Sequence, residues 1–306
     1  MQGQVYYVND PYNLGSNSPA VVAPIPNAGV AMPVQMPTAQ APNIVFVQDP
    51  MSELNNCTGV IIRQQPELFE AITGCETANR YHVYGQTSQG LKYLFKCMER
   101  SDYCMRACCP SSVREFNMEI YHILNLGQQA SKLFANALKP YMIPCFCCCR
   151  PEMTLLLGEQ KEVVGKIINL FTCCDPEFEV YDKNGNVKFR VHADCCQCGL
   201  MCANNICGKF SSANFDIYDG TLTNKVGNIS KMPAQSYAEM VTDADSYQVT
   251  FPAQASAHDK LLLIALGLMI DYQYFETDSS GDNNGYYHRR GYGYGYGYGY
   301  SRYGYY

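Results

Sequence analysis

Two groups of residues have types and spacings that could do chemistry. One is Cys145-Phe146-Cys147-Cys148-Cys149, bracketed by Pro144 and by Arg150-Pro151. Four thiols on a proline-bracketed segment, beside an aromatic and a cation, suit S-palmitoylation. Each buried methylene contributes about 0.8 kcal/mol, so one acyl chain holds a bilayer marginally and two anchor it stably. The other group is Asp243-Ala244-Asp245, whose spacing offers two carboxylates to one hard cation such as calcium. It is not an EF-hand loop: Gln248 stands where glycine is needed and Gln254 where the bidentate acid belongs. A charge-poor calcium site of this kind works in the ~10⁻⁴–10⁻³ M range. A solvated acidic turn accounts for the same residues equally well.

Zinc competes for the cysteines. Cys145/Cys148 and Cys195/Cys198 each have C-x-x-C spacing, with Cys202 and Cys207 close by. Cys147 and Cys196 intrude between the supposed ligands, which argues against a structural zinc pair. Cys173, Cys174, Cys195 and Cys196 read more simply as small buried residues on strands. Among nucleotide and hydrolase signatures, P-loop, G-x-S-x-G, H-E-x-x-H and G-x-G-x-x-G are all missing. The 5 histidines are scattered without paired spacing, so the expectation is a protein that is not an enzyme.

The elements that must position these groups are mostly strands. Glu177–His192 alternates around Asn184-Gly185, which predicts a hairpin with a type I′ turn. Asn214–Ile229 repeats the pattern with Asp219-Gly220 at the bend. Further strands are expected at Tyr81–Tyr84, Leu91–Cys97, Phe116–Leu124, Thr154–Leu157 and Val163–Leu170, and a short helix over Glu67–Ile72. Short strands at this spacing point to a sandwich or barrel. Thr242–Gln254 reads as an acidic loop leading into one apolar helix, Leu261–Ile270, whose apolar set is Leu261, Leu262, Leu263, Ile264, Leu266, Leu268, Met269 and Ile270. Ten residues rise about 15 Å, against a hydrocarbon core about 30 Å thick. Extending the helix puts Asp271 in the bilayer, at about 2.5–3.5 kcal/mol near its centre. Length therefore favours a core helix over a membrane span.

Two low-complexity segments flank this region. Residues 1–48 carry recurrent prolines and almost no charge, as an extended disordered arm does. Residues 278–306 run into alternating Gly and Tyr, a solvated spacer whose rings could self-associate. The folded domain is expected over 49–277. A net charge of −6 without a long basic run argues against nucleic acid as a partner. MQGQVYYVND lacks the basic and apolar regions of a secretory signal, so the 17 cysteines are expected to be reduced thiols.

Taken together, Arg63–Tyr81 (RQQPELFEAITGCETANRY), Cys104–Pro110 (CMRACCP), the Cys145–Cys149 cluster, Val241–Pro252 (VTDADSYQVTFP) and Asp271–Glu276 (DYQYFE) resemble the phospholipid scramblase family in order and spacing. The resemblance covers roughly Met51–Phe275. It implies a mainly β, tubby-like fold: a closed barrel around a hydrophobic C-terminal helix, although the family is also described with that helix as a single-pass anchor. It implies calcium-stimulated, ATP-independent, bidirectional movement of phospholipids between leaflets, at the cytoplasmic face of the plasma membrane. It also implies palmitoyl groups on Cys145, Cys147, Cys148 and Cys149, and calcium at Asp243, Asp245, Tyr247, Val249, Phe251 and Gln254. Gln254 departs from the acidic residue expected in that pattern. The family's nuclear-import stretch falls on Gly227–Met232, where Lys231 alone is basic, so nuclear import is poorly supported. The alternative is a palmitoylated adaptor whose two arms recruit protein partners, without lipid transport of its own.

Overall fold

The computed structural model describes residues 45–46, 49–65, 78–109, 111–125, 130–143, 149–172, 174–202, 208, 210–234 and 245–276. Thirteen strands form one sheet: β1 (Val45–Phe46), β2 (Gly59–Gln64), β3 (Arg80–Thr87), β4 (Gly90–Arg100), β5 (Phe116–Asn125), β6 (Ala130–Lys139), β7 (Glu152–Leu157), β8 (Glu162–Asn169), β9 (Glu177–Asp182), β10 (Val187–His192), β11 (Ala213–Asp219), β12 (Lys225–Met232) and β13 (Ser246–Thr250). β2 to β13 pair antiparallel in the order β4-β3-β2-β13-β12-β11-β10-β9-β8-β7-β6-β5. β4 also pairs with β5, which closes β2 to β13 into a 12-stranded barrel. β1 is added parallel to the first half of β4, inside the stretch expected to be an extended arm. The expected helix over Glu67–Ile72 lies outside the described residues.

Alternation drives closure. Phe178 and Val180 on β9, Phe189 and Val191 on β10, Phe215 and Ile217 on β11, and Met153 and Leu155 on β7 all point inward and are buried. Besides β1, three strands escape the sequence expectations: β2, β6 and β13. β6 (ASKLFANALK) has a helix-forming composition, yet Ala135, Ala137 and Lys139 alternate into the interior. β13 occupies the second half of the expected acidic loop and sits between β12 and β2. The hairpin after β9 also differs: Gly185 has φ +82°, but Asn184 does not enter the left-handed region. Asp182 Oδ1 accepts from the Asn184 and Asn186 amides, each at 2.9 Å, and holds a right-handed turn followed by the glycine.

The helices are α1 (Pro50–Asn56), α2 (Tyr103–Cys108), α3 (Cys198–Met201) and α4 (Ala257–Ile270), the last continuing as a wider π turn, Asp271–Phe275. α4 starts in a reciprocal cap: the Asp259 amide donates to Ser256 Oγ at 3.2 Å, and the Ser256 amide to Asp259 Oδ2 at 3.0 Å. Lys260 Nζ donates to the carbonyls of Leu54, Asn55 and Cys57, each at 2.9 Å, tying α4 to the end of α1. From Leu261 to Asp271 every residue is buried. An apolar surface all round the helix needs an apolar wall all round it, which the closed barrel supplies. Gly165 on β8 makes the fit close: a Cβ there would lie 2.2 Å from the Tyr181 carbonyl oxygen and 2.9 Å from Leu262 Cδ1. Among the described residues, no helix is long and apolar enough to cross a membrane.

Candidate functional site

At the barrel end where α4 terminates, the inward alternation continues from apolar into polar residues. Leu138 aside, β6 reads Ala135-Ala137-Lys139 inward; β4 reads Phe95-Cys97-Glu99, and β12 reads Ile229-Lys231. Arg114, ahead of β5, shares the parity of Phe116 and Met118 and is fully buried. Gln64 on β2, Asn79 before β3 and Asp245 before β13 occupy the corresponding places on their strands. The result is a ring of polar side chains around the end of the central helix.

The π turn supplies what the ring binds. Asp271, 2% exposed, accepts from Tyr81 Oη at 2.5 Å and from Tyr247 Oη at 2.6 Å. Tyr272 Oη donates to Glu99 Oε2 at 2.7 Å, and its ring stacks on Phe116 with centroids 4.1 Å apart. Asn79 Nδ2 donates to Glu276 at 2.7 Å, and the Asn79 amide to Glu99 Oε2 at 2.8 Å. Arg114 Nη2 lies 3.1 Å from Glu276 and 3.4 Å from Glu99, while Lys139 Nζ donates to the Arg114 carbonyl at 2.7 Å. Burial raises the Asp271 carboxyl above the usual aspartate range, against the opposing pull of the two tyrosine hydroxyls and Lys231. It also raises the Tyr81, Tyr247 and Tyr272 hydroxyls, so these remain donors. Lys139 is pushed down to about 8, by burial first and by Arg114 second.

Asp245 joins this ring to the candidate calcium segment. Its carboxylate lies 2.8 Å from Lys231 Nζ on the adjacent strand, and that ammonium sits 4.1 Å from the Phe275 ring centroid. The Asp245 amide donates to Gln64 Oε1 at 2.9 Å, and Gln64 Nε2 donates to Asn79 Oδ1 at 2.8 Å. Asp243 lies outside the described residues. Tyr247, Val249 and Phe251 point into the barrel and are buried, whereas Gln254 is exposed beyond the far end of β13. The five residues of β13 span about 17 Å at ~3.4 Å each, so the described positions Asp245, Tyr247, Val249, Phe251 and Gln254 are strung out along the strand and beyond its ends. Asp243 and Asp245 are the carboxylates of the segment, and the Asp245 side chain is 16% exposed. The inward direction of Lys231 also removes the one basic side chain of Gly227–Met232 from the surface.

Of the palmitoylation candidates, Cys145, Cys147 and Cys148 lie outside the described residues, and Cys149 is half-buried. Their flank carries exposed apolar groups: Tyr141, Ile143 (62% exposed) and Phe171, the last with the Arg150 guanidinium 4.7 Å from its ring centroid. The expectation of buried strand cysteines fails at Cys174 and Cys196, which are exposed, and at Cys195, which is half-buried in the turn after β10. Asp175 and Asp194 accept backbone amides there and draw the chain out of the sheet. Among the described residues the buried thiols are instead Cys57 and Cys97, and Cys173 lies outside the described residues. The polar ring has no local motif, because its members come from different strands. Its signal was parity: Glu99, Lys139 and Lys231 each continue an inward-facing series.

A sequence model of the Scramblase family matches residues 37–277. Human phospholipid scramblase 1 is 28% identical over 228 residues, covering 74% of this chain and 66% of the human protein. The rat phospholipid scramblase 1 match covers 59% of that protein, so the chain spans less than two thirds of these relatives. Bovine phospholipid scramblase 2 is 27% identical over 249 residues, covering 80% of this chain and 78% of the bovine protein. No solved structure matches the chain. With a family match across most of its length and a barrel closed around its C-terminal helix, the chain belongs to the scramblase family.

Proposed function

We propose that this protein moves phospholipids between membrane leaflets in both directions, without ATP and with stimulation by calcium, from the cytoplasmic face of the plasma membrane. Membership in a family whose relatives are named phospholipid scramblases supports the lipid substrate. The observation that shapes the mechanism is the filled barrel. α4 occupies the interior with no exposed apolar face, so lipid does not pass through the barrel and α4 does not leave it. Lipid meets the outside of the protein. The face beside Cys145–Cys149, with Ile143, Tyr141 and the Arg150–Phe171 pair, provides apolar contact, a cation for headgroups and the palmitoyl anchors. A headgroup then crosses hydrocarbon thinned beside the protein, an effect that self-association strengthens, while the arms over 1–48 and 278–306 recruit protein partners.

Asp243 and Asp245 are the residues that would hold calcium; Tyr247, Val249, Phe251 and Gln254 do not complete its shell. When bound, calcium supplies positive charge that competes with Lys231 for the Asp245 carboxylate. Lys231 and Asp245 position the start of β13, and Tyr247 transmits that position to Asp271 at the end of α4.

Liposomes with a fluorescent phospholipid in both leaflets and a membrane-impermeant quencher outside test the proposal. Reconstituted protein should expose the inner-leaflet pool without ATP, faster with millimolar calcium than with chelator. Folded, membrane-bound protein that leaves the inner pool protected would refute transport and favour the palmitoylated adaptor.

A further inference from the structure

The connection between β10 and β11 carries a second set of cation-binding atoms, separated from β13 in the sheet order by β12. A carboxylate oxygen of Asp194 and the sulfurs of Cys195 and Cys196 all lie within 4.8 Å of one another. Cys195 Sγ and Cys196 Sγ are 3.9 Å apart. Two thiolates at 2.3 Å from a tetrahedral zinc ion are separated by about 3.8 Å. The pair already stands at the spacing such an ion requires.

The backbone that carries these atoms is fixed. The Cys195 amide donates to Asp175 Oδ1 at 2.9 Å, and the Cys196 amide to Asp194 Oδ1 at 2.8 Å, which leaves Asp194 Oδ2 for a cation. Gln197 clamps the turn onto β11: its Nε2 donates to the Asp194 and Asn214 carbonyls at 3.0 and 2.9 Å, and its Oε1 accepts from the Asn214 amide at 2.7 Å. Cys196, which intrudes in a C-x-x-C reading, becomes a ligand in a vicinal reading. Water would take the fourth place.

We infer that Asp194, Cys195 and Cys196 form a binding site for a thiophilic divalent cation of the zinc class. Two sulfurs and one oxygen select such an ion over calcium, which requires an all-oxygen shell. Binding turns two thiols into thiolates and releases their two protons to solvent. Independent of any lipid transport, the ion would staple the turn that joins β10 to β11.

The test uses the reduced full-length chain with Cys145, Cys147, Cys148 and Cys149 changed to Ser, which removes the densest cluster of competing thiols. Cadmium is titrated while its thiolate charge-transfer absorption is followed, and zinc is then added to displace it. The expected result is a stoichiometric step that zinc reverses and that Cys195→Ser/Cys196→Ser removes. Asp194→Asn should keep the thiolate band but weaken binding by roughly tenfold or more. The exposed Cys196→Ser variant, checked by circular dichroism, guards against misfolding of the double variant. An unchanged number of cadmium equivalents and an unchanged band in folded C195S/C196S would overturn the site.

Discussion

Tyr247 on β13 donates its hydroxyl to Asp271 at the end of α4, at 2.6 Å, and lies two residues beyond Asp245, whose carboxylate meets Lys231. The start of the candidate calcium strand and the end of the central helix are therefore one hydrogen-bonded unit. Removing one neutral hydrogen bond costs about 0.5–1.5 kcal/mol, which is the loss expected for Tyr247→Phe. Asp271→Ala strands two buried hydroxyls and should cost about 2–6 kcal/mol, at roughly 1–3 kcal/mol for each unsatisfied group. Urea denaturation of both single variants and the double variant should give a non-additive cycle.

The same carboxyl sets a pH dependence. Its folded value is raised, so its contribution is fully present below the ordinary aspartate value and is lost as pH rises through the raised folded value. Stability measured on the alkaline side of pH 4 should carry a downward component from this group. Asp271→Asn should remove that component.

Helix seating depends on glycine. Gly165→Ala places a methyl against the Tyr181 carbonyl and Leu262, and overpacking of this kind costs about 1–3 kcal/mol. Gly158→Ala meets no neighbour, but its backbone has φ +67°, so its smaller loss comes from strain alone. Thermal denaturation should show that Gly165→Ala loosens near-ultraviolet circular dichroism around the core aromatics and Gly158→Ala does not.

Lys231 competes for Asp245. Lys231→Gln should raise calcium affinity at Asp243/Asp245 by roughly tenfold, which corresponds to ~1.4 kcal/mol. Asp243→Ala should abolish binding in both backgrounds. Calorimetric titration of calcium into the four proteins checks this, and equal affinity in wild type and Lys231→Gln would remove the competition from the account.

The β11–β12 hairpin should be acid-sensitive. The Thr221 hydroxyl, then the Thr223 amide and the Asn224 side chain, hold the Asp219 carboxyl down at about 2. A depressed folded value gives stability that is present above the unfolded value of about 3.9 and is lost as pH falls through the folded value. Amide exchange at Thr223 should accelerate over that interval in wild type, and Asp219→Asn should lack the step.

Much of the barrel was legible because alternation and hairpin turns are local. β9, β10, β11 and β12 follow from Phe178-x-Val180, Phe189-x-Val191, Phe215-x-Ile217 and their bends. α4 was legible from ten apolar residues, and its length alone set a core helix against a span. What escaped depends on long-range closure. β6 looks helical until its neighbours β5 and β7 are known, and β13 hides in an acidic segment because one of its partners, β2, is distant in sequence. The polar ring escaped for the same reason: Arg114, Glu99 and Glu276 are distant in sequence, and a buried cation is costly until its carboxylates are in place.

The central claim is that α4 stays in the barrel while the face near Cys145–Cys149 meets lipid. The chain contains no Trp, so one introduced Trp reports alone. We would place it at Phe275, at the end of the enclosed helix, or at exposed Ile143, and bind each palmitoylated variant to vesicles with acyl chains brominated at graded depths. The account predicts quenching at position 143 and none at position 275. Quenching at 275 by deep bromines, in protein that is folded before vesicles are added, would show that the helix has left the barrel for the bilayer and would contradict it.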